Sequence, residues 1–99
     1  MDRADVIAKL KAVEPALRAH GVAALYLFGS YARDEADPGS DLDIFVEPAT
    51  DDFYGLDNYI GVYERLRDAF PGTEVGYSTR DGLSKYIRPD VERQAIRIF

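Results

Sequence analysis

Seven residues with the hydrophobicity of a buried strand, Val22-Ala23-Ala24-Leu25-Tyr26-Leu27-Phe28, stop at the pair Gly29-Ser30. Glycine and serine at that point predict a turn into a short helix around residues 31–36. The loop Asp37-Pro38-Gly39 reads as a tight turn. A second strand is then expected over 41–47, ended by Pro48. A strand that turns directly into a helix leaves backbone N–H groups without intrahelical partners. Together with the Ser30 hydroxyl they form a ready anion site. On the second strand Asp41 and Asp43 are two positions apart, so both point to one face, with Cα atoms about 7 Å apart. Leu42, Ile44 and Val46 then face the other way, into a core. Two carboxylates held side by side beside a phosphate cradle suit a divalent cation that carries a nucleoside triphosphate.

The flanking sequence predicts how that unit is packed. Val6, Leu10, Val13 and Leu17 recur at helical spacing over 4–19, and Pro15 should kink or restart the helix there. His20-Gly21 is a helix stop. After Pro48, Thr50 or Asp51 is available as a cap for a helix in which Phe53, Leu56, Ile60 and Tyr63 keep helical spacing up to Phe70. Pro71-Gly72 closes it. Thr73-Glu74-Val75-Gly76-Tyr77 alternates as a third strand, with Val75 and Tyr77 towards the core and Glu74 on the opposite face. Helical segments around 82–87 and 89–94 follow, and Ile96 and Ile98 alternate in a short final strand. Residues 1–99 are expected to make a single domain of the α/β (α+β) class, a small mixed sheet with helices packed against it.

Composition narrows the function. The chain has 46% hydrophobic and 30% charged residues, an ordinary balance for a globular domain. Its formal net charge of −6 argues against binding duplex nucleic acid, which requires neutralising phosphates. An acidic chain that holds a triphosphate needs a cation between the two. No cysteine is present, which rules out disulfides and thiolate metal sites and fits a cytoplasmic location. The charged start, Met1-Asp2-Arg3-Ala4-Asp5, has no apolar segment of signal-peptide length, and no stretch approaches membrane-spanning length.

Gly29-Ser30-Tyr31-Ala32-Arg33 followed by Ser40-Asp41-Leu42-Asp43-Ile44-Phe45-Val46 resembles the signature of the nucleotidyltransferase (polymerase-beta-like) superfamily. At this length the chain looks like a minimal nucleotidyltransferase, the type that pairs with HEPN-domain proteins in prokaryotes. The resemblance implies the nucleotidyltransferase fold, ATP as substrate, Mg²⁺ (two ions) as cofactor, and transfer of AMP to a hydroxyl. It also implies the acceptor, a HEPN-type ribonuclease toxin that this chain silences as its antitoxin. Gly29, Ser30 and Arg33 are the implied phosphate-binding residues, with Arg33 equally able to pair with a nearby acid. Asp41 and Asp43 are the implied metal ligands. Glu74 is the implied third carboxylate, completing the metal site and helping to deprotonate the attacking hydroxyl.

Two residues depart from the family pattern. Aspartate is more usual than Glu74 at the third carboxylate, and glycine more usual than Asp34 after the Ala-Arg pair. Both favour an alternative, a catalytically weak module that neutralises its partner by contact alone. A small-molecule nucleotidyltransferase is a third reading, for which the chain offers no recognisable acceptor contacts. Among the remaining residues, His20 reads as structural, Asp81 as a helix cap and Tyr63 as a core residue. Tyr54, Tyr59 and Tyr86 are candidates for exposure, and Arg80 or Lys85 for a triphosphate cation.

Overall fold

The computed structural model describes residues 1–99, the side chain at position 56 excepted. The first helix, α1 (Arg3–Ala12), opens on a reciprocal cap in which Asp5 N–H donates to Asp2 Oδ1 at 2.9 Å and Asp2 N–H donates to Asp5 Oδ2 at 3.2 Å. Pro15 does restart the helix. It sits in the first turn of α2 (Glu14–Ala19), where its missing N–H has no partner to lose. Gly21, at φ +91°, turns the chain into β1 (Val22–Phe28).

A one-turn helix, α3 (Gly29–Ala32), is followed by a loop and β2 (Leu42–Pro48). A 3-10 turn over Asp51–Tyr54 leads into α4 (Leu56–Ala69). Then come β3 (Val75–Thr79), α5 (Arg88–Gln94) and β4 (Ile96–Arg97). The sheet order is β3-β2-β1-β4, with β1 antiparallel to both β2 and β4, and β2 parallel to β3. The expected mixed sheet with packed helices is the architecture found.

Leu42, Ile44 and Val46 all face the main core, as their alternation predicted. They meet Val6 and Leu10 of α1, Leu17 of α2 and Val62 and Leu66 of α4. The opposite face of the sheet carries a smaller cluster, with Phe45 packed against Leu83 and Val91 beneath Tyr26 and Phe28. Phe45 and Tyr26 stack with ring centroids 4.7 Å apart. A bulge between Val22 and Ala24 shifts the register of β1, which lets Val22 reach the main core alongside Leu25 and Leu27.

Three local expectations are corrected. The third strand begins at Val75, two residues later than its alternation suggested, because the turn that closes α4 extends further and Thr73 N–H still donates to Phe70 O at 3.2 Å. The segment 82–87 is a series of turns, not a helix. Asp81 consequently caps nothing; its carbonyl accepts from Arg88 Nη2 at 3.1 Å, while Thr79 Oγ1 accepts the Gly82 N–H at 3.0 Å. Among the described residues no helix is long and apolar enough to cross a membrane.

Candidate active site

The turn from β1 into α3 depends on one residue. Gly29 has φ +76°, a left-handed conformation that side chains disfavour, and a Cβ placed there would collide with Asp43 Oδ2. The carboxylate of β2 therefore lies against the bare backbone of the turn. Phe28 occupies the cap position of α3, and among the described residues no side chain caps this helix. Ser30 is half-buried and does not take the capping role. The first-turn N–H groups thus have no side-chain cap among the described residues.

Asp43 is the half-buried member of the carboxylate pair. Its ladder neighbours are Phe28 on β1 and Gly76 on β3. Burial first, then the neighbouring Asp41 carboxylate, push its pKa above the ordinary aspartate value, and the Arg33 guanidinium offsets part of the rise. Asp41 is exposed, just ahead of the paired stretch of β2. A cation between the two carboxylates would relieve the charge that Asp41 places on Asp43.

The donor set suits Mg²⁺, which is commonly held by one or two carboxylates together with phosphate oxygens and water. Among the described residues no group of three or more His, Cys, Asp or Glu side chains is placed to hold a metal. Glu74 is exposed and stands one residue before the paired part of β3, where its carbonyl accepts Leu42 N–H at 2.8 Å. The structure brings Asp43 to the Gly29 turn, with Asp41 near enough to act on it. It places Gly76, not Glu74, directly beside Asp43.

The basic residues are engaged in other contacts. Arg33 Nε lies 3.1 Å from Glu35 Oε2, and its Nη1 donates to Gln94 Oε1 of α5 at 2.9 Å. It thus ties the turn to α5 while still acting on Asp43 through space. Arg80 bridges Glu47 at 2.6 Å and Glu92 at 3.2 Å, with its guanidinium about 5 Å from the Phe45 ring. That makes it a clasp for the smaller cluster. Lys85 lies over the Tyr86 ring at 5.3 Å.

Sequence reasoning missed Gly61, whose Cβ would come within 2.6 Å of the His20 ring; His20 is seated on α4 through this gap. Tyr63, expected in the core, is 38% exposed and stacks on Tyr77 at 6.4 Å, while Tyr54, Tyr59 and Tyr86 are exposed as read. Surface hollows of about 370 Å³ over His20 and about 380 Å³ beside Met1 and Pro38 include neither Asp41 nor Asp43. The carboxylates stand at an open strand mouth, which suits a ligand gripped mainly through phosphate and cation.

The chain belongs to the nucleotidyltransferase domain family, whose model matches residues 10–98. It is similar to a solved structure assigned as a minimal nucleotidyltransferase, with 31% identity over 97% of this chain and 95% of that one, and a TM-score of 0.80. It is also similar to a toxin–antitoxin crystallised with AMP-PNP (25% identity, 100% of this chain and 73% of that one, TM-score 0.63). A mutant of the toxin–antitoxin MntA-HpeT shares the fold (24% identity, 100% of this chain and 73% of that one, TM-score 0.60). No curated protein matches the chain.

Proposed function

We propose that this chain is a cytoplasmic, metal-dependent nucleotidyltransferase that moves AMP from ATP onto a hydroxyl of a HEPN-type ribonuclease toxin and so serves as its antitoxin. The observation that carries this reading is the Asp43 carboxylate set against the Gly29 turn, with Asp41 just before the start of the same strand. The similar toxin–antitoxin crystallised with AMP-PNP supports the nucleotide and the partner.

In this reading Asp41 and Asp43 hold the cation, and the first-turn N–H groups of α3 and the Ser30 hydroxyl receive phosphate oxygens. Bound Mg²⁺ screens the triphosphate and polarises the reacting phosphate. The acceptor oxygen bonds to the α-phosphorus, and the bond from that phosphorus to the bridging oxygen breaks. Pyrophosphate departs. Glu74, exposed at the same end of the strands, takes the proton of the attacking hydroxyl. Arg33 braces the turn against α5 and lowers the cost of the ionised Asp43.

A second reading is favoured by one specific observation: among the described residues no third donor completes a metal cage. The chain would then neutralise its partner by contact, without transfer. Incubation with the co-expressed neighbour protein, Mg²⁺ and α-labelled ATP separates the two readings. Label on the neighbour with wild-type chain, and none with Asp41→Ala, Asp43→Ala, is the expected result. A stable complex that takes no label from any of the four triphosphates would overturn transfer and leave neutralisation by contact.

A further inference from the structure

A glycine inside a strand has a cost, since it adds backbone freedom to the unfolded chain and gives the sheet no side chain to pack. Gly76 is the second residue of β3, inside its paired stretch, and neither of the usual reasons for such a glycine applies. Its backbone is not among the positive-φ positions, which are Gly21, Gly29, Gly72 and Asp34. It is also exposed, so no tight core contact demands a small residue there.

What its missing side chain does accommodate is Asp43. A Cβ on residue 76 would come within 2.8 Å of Asp43 Oδ1, whereas the nearest backbone atom, Leu42 O, would be 3.7 Å away, an ordinary contact. The other oxygen of the same carboxylate occupies the space that a Cβ on Gly29 would need. Asp43 therefore lies in a slot walled by two glycines, one on the β1–α3 turn and one on the neighbouring strand. Asp43 could not yield to a side chain at 76 by swinging towards residue 29, because Oδ2 already fills that side. It would have to turn out of the slot.

We propose that Gly76 is a positioning residue for Asp43, and that the slot it opens sets how well the carboxylate pair holds a divalent cation. The consequence for cation binding rests on the functional reading above; the contact itself does not. An alanine at 76 displaces the carboxylate from the position in which it shares a cation with Asp41, while the strand gains an ordinary side chain. The two effects have opposite signs, which separates positioning from a structural role.

The test uses the full chain with Gly76→Ala, Asp43→Ala and the double variant. Affinity for Mn²⁺ is read by paramagnetic titration, and Tm is read without metal. Gly76→Ala is expected to weaken Mn²⁺ at least tenfold while Tm holds or rises. In the Asp43→Ala background the same change should raise Tm further than in wild type, because the clash is gone. Wild-type Mn²⁺ affinity in Gly76→Ala, or additive Tm changes in the cycle, would overturn the proposal. Wild-type protein that takes up no Mn²⁺ would overturn the functional reading and the cation consequence together. The metal-free cycle would still decide the contact.

Discussion

Replacing Gly29 by alanine perturbs the site in two ways that can be separated. The backbone there is left-handed at φ +76°. Holding an L side chain in that region costs about 1–2 kcal/mol. The new Cβ also collides with Asp43 Oδ2, and the collision is closer than the one at Gly76. Overpacking of this kind costs about 1–3 kcal/mol. The sum, roughly 2–5 kcal/mol, is a large part of the 5–15 kcal/mol that holds a domain folded. In a domain of this size each kcal/mol moves Tm by about 4–8 °C, so the fall should be about 8 °C or more. Thermal melting by circular dichroism measures it. Adding Asp43→Ala should recover the collision part of the loss and leave the backbone part. A Gly29→Ala protein that melts within about 3 °C of wild type would refute the argument, since even the smaller contribution exceeds that at about 4 °C per kcal/mol.

Two other outcomes follow from named contacts. Asp43→Asn should raise the metal-free Tm at neutral pH. The wild-type carboxyl has a folded pKa above its unfolded value, near 3.8, so its favourable contribution is complete below that pH and is lost as pH rises through the folded pKa. The advantage of the variant should therefore close on acidification in a pH series of melts, and a gap independent of pH would contradict it. Gly61→Ala should lower Tm, although alanine is worth about 1 kcal/mol over glycine in a helix interior, because its Cβ would meet the His20 ring at 2.6 Å. In a His20→Ala background the same change should raise Tm, which melting of the four proteins would show.

The site was legible in the sequence where its geometry is local. The run Val22–Phe28, the Gly29-Ser30 turn and the alternation of Asp43 and Phe45 against Leu42, Ile44 and Val46 each follow from the backbone of one element, although the strand begins at Leu42, one residue later than expected. Asp34 looked like a departure from a glycine pattern, and its φ of +59° explains why that position favours glycine. Aspartate is among the few other residues that tolerate this conformation. Expectations were less good where an element's ends depend on its neighbours. β3 starts where the turn after α4 releases the chain, and it runs on to Thr79 because β2 offers pairing as far as Val46.

The sequence by itself determined that a Gly-Ser turn and a closely spaced carboxylate pair would flank two strands, since spacing along one strand and the chemistry of one turn are set by neighbouring peptide units. It could not determine what lies across from them. That Asp43 meets Gly76 while Glu74 stands at the exposed strand mouth is a matter of register between two strands that are distant in the chain. Parallel register is set by which side chains both strands can bury together. Leu42 with Val75 and Ile44 with Tyr77 satisfy the core. In doing so they bring a glycine, and not a third carboxylate, to the side of Asp43.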